Sequence, residues 1–157
     1  MHRVLVVDDH VVIRRGIQSI VRLWPEWEIC GEAASGEEAV RLTAELKPDI
    51  VLMDISMPGM GGLEATRTIA RRSPESKVLL LTLHDSPYWV RTALHAGARG
   101  YMLKSDAESE LLRALNLVCG KGIYVSPNID AQQVREIIKD LGLAGSAERI
   151  NTSQEAT

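Results

Sequence analysis

The sequence predicts a doubly wound α/β domain, a parallel sheet covered by helices on both faces, and three observations carry that reading. Short apolar runs such as Val4–Val7 and Val78–Leu81 show no inside–outside alternation, as in strands buried on both sides. Five of these runs alternate with helix-period segments within the first 120 residues or so. Polar residues stand at the carboxyl ends of the runs, where open α/β sheets bind ligands.

The elements follow in order. Val4–Val7 is the first strand, and the next segment places Ile13, Ile17, Ile20, Val21 and Trp24 on one helical face. Glu28–Ala33 is the second strand. It leads to Ser35-Gly36-Glu37-Glu38, where Ser35 and Glu38 have capping-box spacing and open a helix that ends before Pro48. Asp49–Met53 is the third strand, and Gly61-Gly62 introduces a helix to about Arg72. Val78–Leu81 is the fourth strand, followed by a helix carrying Val90, Ala93 and Leu94 that stops near Gly97. Arg99–Leu103 is the fifth. Ser105 and Glu108 repeat the capping-box spacing before a helix that buries Leu111, Leu115 and Val118 and ends at Gly120.

Beyond Gly120 the composition shifts. Gly122–Pro127 reads as an extended exit from the domain, and Asp130–Leu141 as an amphipathic helix with Val134, Ile137, Ile138 and Leu141 on one face. A lone helix of that length is marginal in water, so its stripe predicts packing on the domain, on another copy or on a neighbour outside this chain. After Gly142 the sequence turns polar, and a flexible tail is expected.

Composition narrows the function. With 25% charged residues and a net charge of −3, the chain lacks the basic footprint of a nucleic-acid binder. Cys30 and Cys119 have no metal-ligand spacing and read as reduced core thiols. Only four apolar residues separate Arg3 from Asp8, too few for a signal peptide. No run approaches the ~20 apolar residues of a membrane span, so a cytoplasmic protein is expected.

The strand ends hold the chemistry. Asp8-Asp9 ends the first strand, Asp54 the third, Thr82 the fourth and Lys104 the fifth. For strand order 2-1-3-4-5, the crevice at the topological switch point lies between strands one and three, which carry the three carboxylates. Three carboxylates in one crevice call for a cation, and hard divalent ions favour oxygen ligands, so a Mg²⁺ site at Asp8, Asp9 and Asp54 is expected. Mg²⁺ and the Lys104 ammonium would neutralise a phosphoryl group arriving at Asp54, with Thr82 donating a hydrogen bond to it. Singly, Asp8 or Asp9 could just as well cap a helix, Asp54 could serve the turn before Pro58-Gly59, and Thr82 and Lys104 could be structural or solvated. Four strand ends facing one crevice make that set of coincidences the poorer account.

Three segments carry a family resemblance: Val6-Val7-Asp8-Asp9-His10, Met53-Asp54-Ile55-Ser56-Met57-Pro58-Gly59-Met60-Gly61-Gly62 and Gly97-Ala98-Arg99-Gly100-Tyr101-Met102-Leu103-Lys104. They resemble a bacterial two-component response-regulator receiver domain. The Asp-Asp-His start and the Gly-Ala-Arg-Gly-Tyr segment are similar to the NarL/FixJ (LuxR-type) subfamily. The similarity covers roughly residues 2–127. It implies a flavodoxin-like (βα)5 receiver over 1–127, with a linker helix and polar tail over 128–157 leading to a helix-turn-helix domain not contained in this chain. It further implies that Asp54 accepts a phosphoryl group from a sensor histidine kinase. Asp9 and Asp54 would ligate Mg²⁺, with Asp8 assisting and the Ser56 backbone carbonyl completing the protein ligands. Lys104 would pair with the phosphate, Thr82 would shift toward it, and Tyr101 would turn inward. The remodelled surface would favour a homodimer and control transcription, with DNA bound only through the helix-turn-helix domain.

Two features depart from the family pattern. Ser105 stands where many members place a cis proline, and a non-proline cis bond costs ~2.5–4 kcal/mol, so the sequence leaves the Lys104–Ser105 isomer open. The chain also stops before the helix-turn-helix domain, although Asn151-Thr152-Ser153-Gln154-Glu155 resembles the opening of its first helix. Two other classes compete with the switch. A metal-dependent aspartyl phosphatase or phosphotransferase would place a carboxylate two residues after its nucleophile, where this chain has Ser56. A phosphorylation-independent contact receiver would not need the full set of Asp8, Asp9, Asp54, Thr82 and Lys104. Trp24, Trp27 and Trp89 read as packing or surface aromatics, His95 as a residue without metal-ligand companions, and His84 as a neighbour of the site mouth.

Overall fold

A computed structural model of the chain describes residues 1–143 and 150–151. The strands are β1 (His2–Val7), β2 (Trp27–Ala33), β3 (Ile50–Asp54), β4 (Lys77–Thr82), β5 (Gly100–Leu103), β6 (Ile123–Val125) and β7 (Ile150–Asn151). The helices are α1 (Val11–Val21), α2 (Gly36–Leu46), α3 (Gly62–Arg72), α4 (Pro87–Ala96), α5 (Ala107–Cys119) and α6 (Ala131–Asp140). Among the described residues the strands form one parallel sheet in the order β2-β1-β3-β4-β5-β6-β7. The expected 2-1-3-4-5 core is therefore present, and the chain reverses direction across the sheet between β1 and β3.

Register divides the core in two. Leu5, Val7, Val51, Met53, Leu80 and Tyr101 face the side covered by α2, α3, α4 and α6. Val4, Val6, Ile50, Leu52, Leu79, Leu81 and Met102 face α1 and α5. This is why the central runs are apolar without alternation: β1, β3, β4 and β5 are buried on both faces, whereas the edge strand β2 is buried only at Trp27 and Ala33.

The helix starts show local chemistry at work. Ser35 accepts a hydrogen bond from the Glu38 amide, and the Glu38 carboxylate reaches back to Ala34 N, a cap close to the one the spacing predicts. The second expected capping box does not form. A 3-10 turn over Lys104–Asp106 intervenes, so α5 starts at Ala107 and its cap residue, Asp106, makes no side-chain cap bond. The first helix also differs: α1 ends at Val21, leaving Trp24 in the following turn, and Ile13 stays exposed near the site mouth.

The segment expected to exit the domain instead adds to it. Tyr124 N donates to Arg99 O and Ser126 N to Tyr101 O, so Ile123–Val125 pairs with β5 as a sixth strand. Three residues are too short to show a period, which is why pairing rather than pattern reveals it. The chain then turns into α6, capped by Asp130 accepting from Gln133 N. Of the three homes open to its apolar stripe, α6 takes the domain itself. Val134, Ile137 and Ile138 are buried beside α4, and Asp140 pairs with Arg91 at 2.8 Å. The polar tail and the Thr152–Glu155 portion of the helix-turn-helix likeness lie outside the described residues, while Asn151 belongs to β7.

Candidate functional site

Asp54 is the last residue of β3 and is only 2% exposed. Parallel pairing places it: Val7 lies opposite Met53, Asp54 lies opposite Leu81, and Ile55 N donates to Leu81 O, so the ends of β1, β3 and β4 are held level. The loop after Asp54 closes when Gly62 N donates to Ile55 O. A side chain at Gly62 would come within 2.5 Å of Asp54 O, so only glycine allows α3 to start so close to the strand end.

The structure brings the sequence-predicted residues together. Lys104 Nζ lies 3.3 Å from Asp54 Oδ1, and Ser56 N donates to that same oxygen at 3.2 Å. The turn role considered for Asp54 is thus real, but it occupies only one carboxylate oxygen. Asp8 is fully buried and does not cap α1; its Oδ1 accepts from His10 N at 2.8 Å and lies 3.0 Å from His10 Nδ1. Asp8 Oδ2 and Asp9 Oδ1 are buried with no hydrogen-bond partner. Asp9 Oδ1 does lie 3.2 Å from His10 Nδ1, without hydrogen-bond alignment. Burial pushes the Asp54 carboxyl above its ordinary range and the Asp8 charge adds to the push, against the Ser56 amide and Lys104. Asp8, Asp9, His10 and Asp54 each offer one ligand atom, all within 4.8 Å of one another.

A Mg²⁺ ion fits this donor set. Buried carboxylate oxygens without partners are costly, and a hard cation is the partner that oxygen donors of this kind accept.

The β4–β5 side is built differently. Thr82 is fully buried, and its Oγ1 accepts from His84 N at 3.0 Å. Tyr101 is also fully buried, its hydroxyl donating to His84 O at 2.6 Å, so the ring already lies inward. Burial pushes that phenol up to about 12. The His84 ring stacks on Trp89 at 4.7 Å, joining the end of β4 to α4. Among the described residues no peptide bond is cis, Lys104–Ser105 included.

Three residues near the site carry no warning in their spacing. Arg14 on α1 donates to Asp8 O and pairs with Glu32 on β2, tying the β1–α1 loop down. Glu37 accepts from Met60 N at 2.7 Å, bracing the β3–α3 loop against α2. His10 folds back over the acids; the one available signal was an aspartate two residues earlier, which favours a turn bonded to its own backbone. The cysteines are free and half-buried rather than deep core, Trp27 is buried with its indole donating to Asn116, and burial pushes both thiols up.

Comparison with known proteins agrees with this architecture. Residues 4–116 match the response regulator receiver domain family. The response regulator GacA of Pseudomonas viridiflava is 46% identical over 134 residues, covering 85% of this chain and 62% of the relative. The transcriptional regulatory protein DegU of Brevibacillus brevis is 37% identical over 134 residues, 85% of this chain and 57% of the relative. A LuxR-family two-component response regulator from Aurantimonas sp. SI85-9A1 superposes with a TM-score of 0.80 at 38% identity, covering 85% of this chain and 95% of that one. The chain belongs to the response regulator receiver domain family. It spans about three-fifths of the length of these curated relatives. Among the described residues no helix is long and apolar enough to cross a membrane.

Proposed function

We propose that Asp54 is the phosphoryl acceptor of a signalling switch. The observation that supports this best is the asymmetry of the Asp54 carboxylate. One oxygen is fixed by Lys104 and Ser56, while the unpartnered oxygens of Asp8 and Asp9 belong to the same acid cluster. A free Asp54 oxygen would attack the phosphorus of a sensor kinase's phosphohistidine, forming an O–P bond as the P–N bond breaks and the histidine takes up a proton. Lys104 would swing its ammonium from the carboxylate to a phosphoryl oxygen. Thr82 would turn its hydroxyl from the His84 amide toward another, and Tyr101 would hold the space behind it.

Asp8, Asp9 and Asp54, with the Ser56 backbone carbonyl, would hold Mg²⁺, which when bound supplies positive charge for a phosphoryl group. The Ser56 position, with no acid to activate water, favours a switch over a turnover phosphatase. Residues 1–127 would form the receiver and 128–157 the linker, in a cytoplasmic protein. The likeness to the response regulator GacA and the transcriptional regulatory protein DegU supports a regulator that acts on transcription. Dimerisation on phosphorylation, and DNA gripped by a C-terminal helix-turn-helix domain, are what the LuxR-type resemblance implies.

The test is incubation with Mg²⁺ and a small phosphodonor, followed by mapping of any hydroxylamine-sensitive adduct by mass spectrometry. Stoichiometric label at Asp54, absent from Asp54→Asn, is expected. Multiple turnover without accumulation would favour the phosphatase, and no label from any donor or kinase would leave only a contact module.

A further inference from the structure

We propose that His84 is the positioning residue through which the phosphoryl state of Asp54 reaches helix α6. The inference rests on the reading of Asp54 as the acceptor and adds to it a relay and a destination. Its geometry starts from the His84 backbone, which is bonded to both inner residues of the β4–β5 side. The amide donates to Thr82 Oγ1 at 3.0 Å, and the carbonyl accepts from the Tyr101 hydroxyl at 2.6 Å. When Thr82 turns its hydroxyl to a phosphoryl oxygen, the amide loses its acceptor while the carbonyl keeps its donor. A backbone amide without a partner moves to find another, so the residue pivots about the Tyr101 bond.

The side chain carries that pivot outward. The His84 imidazole stacks on Trp89 of α4, with ring centroids 4.7 Å apart and planes inclined by 16°. Only Asp85 and Ser86, both exposed, stand between His84 and the first residue of α4. Their backbone alone would absorb a small shift by rotating. The stacked rings close that slack, so loop and helix move together.

The destination lies across α4. Trp89 and Arg91 are two residues apart, roughly 200° around the helix, so α4 meets His84 on one flank and α6 on the other. Arg91 pairs with Asp140 at 2.8 Å, and Val134, Ile137 and Ile138 are buried in the cluster that also holds Val90, Ala93 and Leu94. α6 has ten residues and is marginal as a lone helix in water, so its order depends on this docking. A shift of α4 therefore reads out as opening of α6, the helix read here as the linker.

The experiment is hydrogen exchange of the intact chain, read by mass spectrometry over residues 131–140, with Mg²⁺ alone and with Mg²⁺ plus beryllofluoride, a stable stand-in for the phosphoryl group. It compares the wild type, His84→Ala and His84→Phe, with labelling of Asp54 by acetyl phosphate measured in parallel. Both variants keep the backbone bonds to Thr82 and Tyr101, and His84 is exposed, so neither threatens the fold. Beryllofluoride is expected to speed α6 exchange in the wild type by about tenfold. In His84→Ala the increase should fall below about twofold although Asp54 is still labelled, and His84→Phe, which restores a ring on Trp89, should recover most of it. With Mg²⁺ alone the three proteins should exchange alike. Faster exchange of His84→Ala at rest would make the stack a mere prop of α4 and overturn the relay. A full increase in His84→Ala, a His84→Phe as deficient as His84→Ala, or no increase in a wild type labelled at Asp54 would also overturn it, while leaving the acceptor intact. A wild type without label at Asp54 would remove the acceptor reading, and the relay with it.

Discussion

The two halves of the crevice, one at the ends of β1 and β3 and the other at the ends of β4 and β5, are buried alike but bonded in opposite ways. In the β4–β5 half, Thr82 Oγ1, His84 N, His84 O and the Tyr101 hydroxyl all find partners. In the β1–β3 half, Asp8 Oδ2 and Asp9 Oδ1 find none, and burial pushes Asp54 up. The difference teaches where the fold expects a ligand. A polar site that satisfies itself is complete at rest, whereas buried carboxylate oxygens left open are costly and offer the ligands that the proposed cation would use.

The largest effect that can test this contrast belongs to the satisfied half. Tyr101→Ala empties a fully buried site, and urea unfolding should show a loss of about 3–5 kcal/mol. Next comes cation binding in the open half. Mg²⁺ at about a hundred times its dissociation constant should stabilise the wild type by about 2.7 kcal/mol, and the gain should largely vanish in Asp9→Asn. A wild type indifferent to Mg²⁺ would break the comparison. Tyr101→Phe keeps the packing and removes one hydrogen bond to His84 O, so about 1 kcal/mol should be lost in the same urea series. Smallest is the Arg91–Asp140 pair that ties α6 to α4. Both side chains are about half exposed, and a double-mutant cycle should read a coupling of about 0.2–1 kcal/mol, because the buried Val134, Ile137 and Ile138 hold the helix.

How much of this was legible in the sequence follows the range of each interaction. The four central strands and the acids at their ends were readable because burial on both faces writes an unbroken apolar run, while the edge strand β2 shows instead in its place between two helical segments. Ser35 was readable because a cap is made within three residues. Ser105 misled for the same local reason: its spacing fits a cap, but the chain leaves β5 through a 3-10 turn that moves the helix start to Ala107. The β6 strand exists only by pairing with β5, Tyr101 lying opposite Val125, and no local pattern encodes that. The Arg14 and Glu37 contacts were illegible, since a charged residue on a helix start reads as solvated until the neighbouring loop is placed, while the His10 contact was signalled only by Asp8 two residues earlier.

Comparing the stabilities of the wild type and Asp54→Asn without divalent cations is the most direct test that the acid half is left unsatisfied. Because the folded Asp54 carboxyl is raised, the folded state binds its proton more tightly than the unfolded chain does. Ionising Asp54 therefore costs stability as pH rises through the raised folded value. Urea unfolding from weakly acidic to neutral pH should find Asp54→Asn more stable than the wild type at neutral pH, with the gap closing as pH falls toward the ordinary aspartate range. An Asp54→Asn protein less stable than the wild type at neutral pH would contradict the account. It would mean that Lys104 and Ser56 already satisfy the carboxylate.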